Sequence, residues 1–283
     1  MVKASQHIDL IIGGHTHTYL HTPFYTPNLN GDSIAILQAG KYGQYLGSAK
    51  ITLSANSSPS IEYSLIPLSP NLDSKIDSAF ANKIDRYTQA VNKTMNKHIG
   101  TTLHPMTIGK PESPLGNWVC DALIIFAKQY MNTEADFAIY NTHGIRYPLP
   151  QGNITLGHIY QSFPFDNNLS IIKLKGSEVI SLFQTIALRG GEAVSNEVRL
   201  TIADGKATNI TISSKAIDPT KTYTIAMPDY VANGGDQMEA CLNASSRTDY
   251  PLTIRDMIIQ HIEQLATQGK ALPPSTSGRI TIR

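Results

Sequence analysis

Residues 8–20 read IDLIIGGHTHTYL, and the rest of the chain is read outward from this stretch. Ile8-Asp9-Leu10-Ile11-Ile12 is a short apolar run of the kind expected of a buried strand. Gly13-Gly14 follow, with no Cβ to obstruct a tight turn. His15 and His17 come next. In an extended segment residues two apart point to the same side, so both imidazoles are expected to face one metal site. Two imidazoles are not a two-metal hydrolytic centre. Such a centre also needs carboxylates, a further His or Asn, and a bridging water. Nothing before Met1 supplies them, so the stretch is expected to be the last piece of a catalytic domain with a complete domain behind it.

The chain has 283 residues, enough for one large domain or for a domain plus a fragment. Its net charge of +1 gives no electrostatic argument in favour of nucleic acid or an anionic membrane as a partner. Two cysteines, Cys120 and Cys241, are too few for a disulfide framework, though a single bridge is open. No apolar stretch approaches a membrane span, and residues 2–7 do not resemble a signal peptide.

Strands are expected at 34–38, 48–53 and 61–66, the last two joined by the turn-rich stretch 54–60, with a boundary at 67–70. Ile76, Phe80, Ile84, Tyr87, Val91 and Met95 recur at spacings of three and four. They predict one face of a helix over 73–98, with Asp73 as N-cap and Asp77 early in the helix. Beyond it the pattern mixes the two element types. Helices are expected at 115–131, 156–162, 177–188 and 252–268, and strands at 136–140, 169–174, 198–202, 207–213, 222–227 and 279–282. This is an α+β pattern.

Four loops carry polar or aromatic groups suited to a ligand. Asn141-Thr142-His143-Gly144-Ile145-Arg146 follows a strand, a common place for binding residues. Asn141 offers a donor and an acceptor, and Arg146 a planar fork for phosphate oxygens; an ordinary polar loop is the alternative. In Phe163-Pro164-Phe165-Asp166-Asn167-Asn168, Phe165 is either a stacking surface or a core aromatic. Residues 228–236 read PDYVANGGD: Tyr230 can stack and Asp236 can accept two hydrogen bonds from a ribose diol, unless Asn233-Gly234 is only a hairpin turn. At 111–121 a helix starts, capped by Ser113 with Pro114 in its first turn; its amides could meet an anion or simply be capped. One aromatic ring stacked on a base is worth roughly 1–3 kcal/mol.

In this order the motifs resemble the 5'-nucleotidase family. Gly14-His15-Thr16-His17 is similar to the final metal motif of its calcineurin-like metallophosphoesterase domain, and residues 38–47, QAGKYGQYLG, to that domain's closing strands. The resemblance runs from about residue 8 to about residue 243. It implies three parts: a metallophosphoesterase fragment at 1–70, a helical linker at 71–98, and at 99–283 a substrate-binding domain with a mixed sheet and flanking helices. It implies that Asn141 contacts a base, that Arg146 contacts phosphate, that Phe165 and Tyr230 sandwich the base, that Asp236 holds the ribose hydroxyls, and that His15 and His17 are metal ligands. The implied reaction is hydrolysis of a nucleoside 5'-phosphate with a divalent metal pair, zinc or manganese, in the complete enzyme.

This chain departs from the family pattern in places. Thr142 and His143 replace two glycines, and His143 is itself expected to reach toward phosphate. Tyr230 replaces a common Phe, and Lys110 stands alone where many members place arginines. The other metal motifs are missing. The expectation is therefore a nucleotide-binding part of the enzyme that is incomplete for catalysis alone. The alternatives are an inactive binding module, or one subunit of a split nucleotidase completed by a separate metallophosphoesterase chain. Family resemblance implies a periplasmic or extracellular setting.

Overall fold

The computed structural model describes residues 2–54, 57–273, 275 and 278–283. The chain divides into two compact units, Met1–Arg86 and Tyr87–Arg283.

The first unit is β-rich. Strand β1 (Leu10–Ile12) runs parallel to β3 (Ser33–Leu37), and β2 (Phe24–Pro27) closes the far side of β3 in antiparallel register. Strands β4 (Tyr45–Ser54) and β5 (Ser57–Pro67) form a separate long hairpin. They run into the stretch expected to be a turn, and its tip lies outside the described residues. Ile34, Ala35 and Leu37 of β3 are buried, but β1 is not the buried strand expected at 8–12. It is three residues long, and Ile12 is 80% exposed.

Helix α1 (Ser78–Met95) crosses the division between the units. It starts five residues later than expected, because Asp73 lies within a 3-10 turn (Pro70–Lys75). Asp77 is the cap, its carboxylate accepting from the amides of Ala79 (2.9 Å) and Phe80 (3.0 Å). The apolar stripe Phe80, Ile84, Tyr87 and Val91 is exposed.

The second unit has the expected α+β architecture. After β6 (His98–Thr102) comes α2 (Pro114–Met131), capped by Ser113, whose hydroxyl accepts from the Gly116 amide with Pro114 in the first turn. Then follow β7 (Phe137–Tyr140), β8 (Gly152–Thr155), α3 (Leu156–Ser162), β9 (Asn168–Lys175), α4 (Gly176–Leu188), β10 (Ala193–Val194), β11 (Val198–Ala203), β12 (Lys206–Ile212), β13 (Lys215–Ala216), β14 (Thr222–Pro228), the short α5 (Asp229–Ala232), β15 (Ser246–Thr253), α6 (Ile254–Thr267) and β16 (Ile280–Ile282). The central sheet has the order β10-β7-β14-β9-β15; a second sheet has the order β13-β12-β11-β16, and β6 pairs with β8.

The central strands are buried on both faces. Leu123, Phe126, Ala138, Leu169, Ile258 and Ile262 share one apolar cluster. Phe137, Ile172, Leu182, Phe183, Ile225 and Met227 share the other. This double burial explains the continuous apolar runs of β7, β9 and β14. Cys120 and Cys241 are both buried free thiols, so the single bridge left open by the sequence is not formed. Burial pushes the Cys241 thiol up to about 12.

Candidate functional site

Strand pairing brings three of the four loops to one end of the central sheet. β14 runs parallel to β7, pairing Ala226 with Ala138, so Asn141 and Tyr230 both follow the carboxyl ends of neighbouring strands. β9 is antiparallel to β14, and Leu169 pairs with Pro228, so Phe165 enters β9 at that same end. β10 pairs Ala193 with Tyr140, so Glu192 arrives there as well. A rigid sheet thus places loops that are distant in sequence beside one another.

Asn141 is 4% exposed, and its Nδ2 donates to Asp236 Oδ2 at 2.8 Å across 95 residues of sequence. Its Oδ1 is buried and has no hydrogen-bond partner among the described residues. An unsatisfied buried acceptor costs about 1–3 kcal/mol, so this atom suits a donor from a ligand. Gly144 makes the placement possible. A Cβ there would lie 2.8 Å from Asn141 Oδ1 and 2.8 Å from a Tyr140 ring carbon.

Phe165 and Tyr230 are 43% and 45% exposed, unlike Phe163 at 1%. Phe165 sits in a turn held from both sides. Asp166 pairs with Arg255, whose Nη1 also donates to the Phe163 carbonyl (3.2 Å). Burial pushes the Tyr140 hydroxyl well above its ordinary value, against a hydrogen bond to Asn167. The Arg146 guanidinium lies over the Phe165 ring, 5.2 Å from its centroid, and among the described residues no carboxylate pairs with it. Tyr230 is in α5, not in the hairpin turn that Asn233-Gly234 allows. After α5 the chain turns at Gly234 (φ +78°) into Asp236, itself left-handed at φ +56°.

Sequence reasoning missed two residues here, Arg189 and Glu192. Glu192 is fully buried and accepts from Lys110 Nζ (2.8 Å), Arg189 Nε (2.9 Å) and the Thr142 amide (2.6 Å). Burial alone would raise its pKa, but the hydrogen bonds and charge of Lys110 and the Thr142 amide outweigh it and hold it below the ordinary range. Arg189 Nη2 reaches Asp236 Oδ1 at 3.1 Å and lies 3.4 Å from His143 Nδ1. His143 is thus placed beside a guanidinium. The Gly190-Gly191 pair was the available signal, since two glycines after a helix mark a sharp reversal.

The fourth loop is a structural cap. Glu112 accepts from the amides of Gly278 (2.7 Å) and Arg279 (3.0 Å) and from Asn117 Nδ2 (2.8 Å).

In the first unit His15 and His17 do not lie on an extended segment. Both have left-handed backbones, φ +65° and +59°, which corrects the expected same-side geometry. The reason is local. The Thr16 amide donates to Gly14 O (2.7 Å), and the Thr16 hydroxyl bonds to Thr18 (2.9 Å), curling the loop. His15 is exposed, and the His17 ring lies 5.9 Å from the Tyr42 ring. Imidazole suits zinc, but among the described residues no group of three or more His, Cys, Asp or Glu is placed to hold a metal. His15 and His17 therefore fit only part of a metal centre.

The family model for the 5'-nucleotidase C-terminal domain matches residues 91–243, just over half of the chain. The chain belongs to the 5'-nucleotidase family. Human 5'-nucleotidase is 25% identical over 96% of this chain and 54% of the relative. The trifunctional nucleotide phosphoesterase protein YfkN of Bacillus subtilis (strain 168) is 25% identical over 99% of this chain and 20% of the relative. The chain thus spans about half the length of the human relative. The crystal structure of a 5'-nucleotidase precursor from Thermus thermophilus shares the fold, with a TM-score of 0.80 at 22% identity over 99% of this chain and 60% of that one.

Proposed function

We propose that the second unit binds a nucleoside 5'-phosphate as the substrate-binding part of a metal-dependent 5'-nucleotidase. The observation that carries this reading is the Asn141–Asp236 hydrogen bond, which ties together two loops that each stand beside a half-exposed aromatic ring. Phe165 and Tyr230 stack on the base, Asn141 meets its edge through the unpartnered Oδ1, Asp236 accepts from the ribose, and Arg146 meets the phosphate. Residues 1–70 belong to a metallophosphoesterase part, 71–98 to a linker, and 99–283 to the substrate-binding domain. His15 and His17 would hold part of a zinc or manganese pair. Such a pair, when bound, supplies a nucleophile near neutral pH and neutralises phosphate charge. The remaining donors come from outside these two imidazoles, for example from a separate metallophosphoesterase chain. A second reading, a nucleotide-binding module without catalysis of its own, is favoured by the lack of a three-donor cluster among the described residues. Family membership supports a periplasmic or extracellular setting, and no helix among the described residues is long and apolar enough to cross a membrane.

Calorimetric titration with adenosine and AMP tests the binding reading. At roughly 1–3 kcal/mol per stacked ring, Phe165→Ala with Tyr230→Ala is expected to weaken both ligands by about 30-fold or more. Arg146→Ala should weaken AMP and spare adenosine. A folded wild type that binds neither ligand, or a double variant that binds as well as wild type, overturns the assignment. Phosphate release from AMP in added zinc or manganese, by the chain alone, separates the nucleotidase from the binding module.

A further inference from the structure

Asp236 has two oxygens, and each already meets one group of the protein, Oδ2 through a hydrogen bond and Oδ1 through an ion pair. Oδ2 takes Asn141 Nδ2 at 2.8 Å and Oδ1 takes Arg189 Nη2 at 3.1 Å. A carboxylate has about four lone-pair positions, so roughly two remain. The side chain is 17% exposed, which leaves it open to a ligand. Two free acceptor positions on one rigidly held carboxylate match the two adjacent hydroxyls of a ribose.

What holds that carboxylate is Arg189, which is fixed by its backbone and its side chain together. It caps the end of α4. Gly190 and Gly191 (φ +78° and +104°) then reverse the chain, so that Glu192 comes back onto the Arg189 Nε at 2.9 Å. A side chain at residue 191 would place its Cβ 2.4 Å from the Pro111 carbonyl, so the reversal tolerates only glycine. Lys110 Nζ closes the ring, donating to the Arg189 carbonyl (2.7 Å) and to Glu192 (2.8 Å). The Arg189 side chain is 15% exposed and Glu192 is buried, so neither is a surface pair free to swing. The planar fork of Arg presents Nε to one carboxylate and Nη2 to the other, which a point-charge ammonium cannot reproduce.

We propose that Arg189 is a positioning residue that makes the site selective for a nucleoside with a vicinal ribose diol. It sets the plane of the Asp236 carboxylate while Glu192 and Lys110 hold the guanidinium. This rests on the reading of Asp236 as the ribose contact. Arg189 does not touch the ligand; it acts through Asp236. Its loss is therefore felt by ligands with ribose hydroxyls and not by ligands without them.

The test is calorimetric titration of the full chain with adenosine and with 2',3'-dideoxyadenosine, for wild type, Arg189→Met, Arg189→Lys and Asp236→Asn. Wild type is expected to prefer adenosine. Arg189→Met should weaken adenosine about tenfold, the scale of one charge-assisted hydrogen bond, and leave dideoxyadenosine unchanged. Asp236→Asn should behave alike, and Arg189→Lys should recover only part of the preference. Equal weakening of both ligands would mean a structural role and overturn the proposal, as would an unchanged preference in Arg189→Met. Should Arg189→Met fail to fold, Arg189→Lys against Asp236→Asn decides the same question: full wild-type preference in the lysine variant overturns it. A wild type that binds both ligands equally overturns this proposal and leaves the aromatic clamp standing. A wild type that binds neither overturns the nucleotide-binding reading beneath it.

Discussion

Replacing Glu192 by Gln keeps the shape of the side chain and removes its charge. The carboxylate is fully buried, with Oε1 accepting from Lys110 and Arg189 and Oε2 from the Thr142 amide. A glutamine can offer its carbonyl to one side only, so its NH2 must face a donor on the other. If it serves the two cations, the Thr142 amide is orphaned, at about 1–3 kcal/mol. In either orientation the part-buried Lys110 loses its counter-charge and Arg189 is left with Asp236 alone, and breaking such a pair costs about 3–5 kcal/mol. Taking about 3–5 kcal/mol as the total, a unit of this size should lose about 6–20 °C in Tm, or show a matching fall in urea midpoint at constant slope. Glu134, paired with Lys128 at the surface, is the control, and Glu134→Gln should change stability by less than about 0.5 kcal/mol. The effect carries a pH signature. The folded-state pKa of Glu192 is lowered, so its contribution is complete above the ordinary Glu range and is lost as pH falls through the folded value. The gap between wild type and Glu192→Gln should be flat around neutrality and shrink below about pH 4. A variant within about 0.5 kcal/mol of wild type, or a gap that persists unchanged in acid, refutes the reasoning.

Arg279, fully buried, grips Asp121 with Nη1 (2.8 Å) and Nη2 (2.7 Å) and donates to the Val194 carbonyl (2.7 Å), so Arg279→Met should cost about 3–5 kcal/mol in urea unfolding. A loss below about 1 kcal/mol would show that this pair is not what fastens β16. Gly144→Ala drives a methyl against Asn141 Oδ1 and the Tyr140 ring, with an expected loss of about 1–3 kcal/mol and adenosine binding weakened about tenfold. Normal binding in that variant would mean that the Asn141 amide does not contact the ligand.

The elements of the second unit were legible wherever burial imposed a period. The helices at 156–162 and 177–188 and the strands near 169–174 and 222–227 lie within a residue or two of their observed bounds. β15 was missed. Its sequence, SRTDYPLT, shows no alternation and contains a proline, both tolerated because it is an edge strand. The helix behind it therefore read as starting too early; Thr253, whose hydroxyl accepts from the Asp256 amide (3.1 Å), sets the true start. The His15–Thr16–His17 curl was hidden because a strand followed by Gly-Gly says nothing of whether the next residues stay extended. In the site, the residues proposed to touch a ligand stand in recognisable loops, but those that hold them do not. Arg189 and Glu192 look like an ordinary helix end, and their meaning arises only when β10 pairs with β7 and brings Glu192 under the Thr142 amide. Contact residues are constrained by a ligand's chemistry, which narrows the choice of side chain. Positioning residues are constrained by the three-dimensional distance between two loops, which a linear pattern does not contain. Specificity carried by Arg189 would for that reason differ among relatives whose contact residues match.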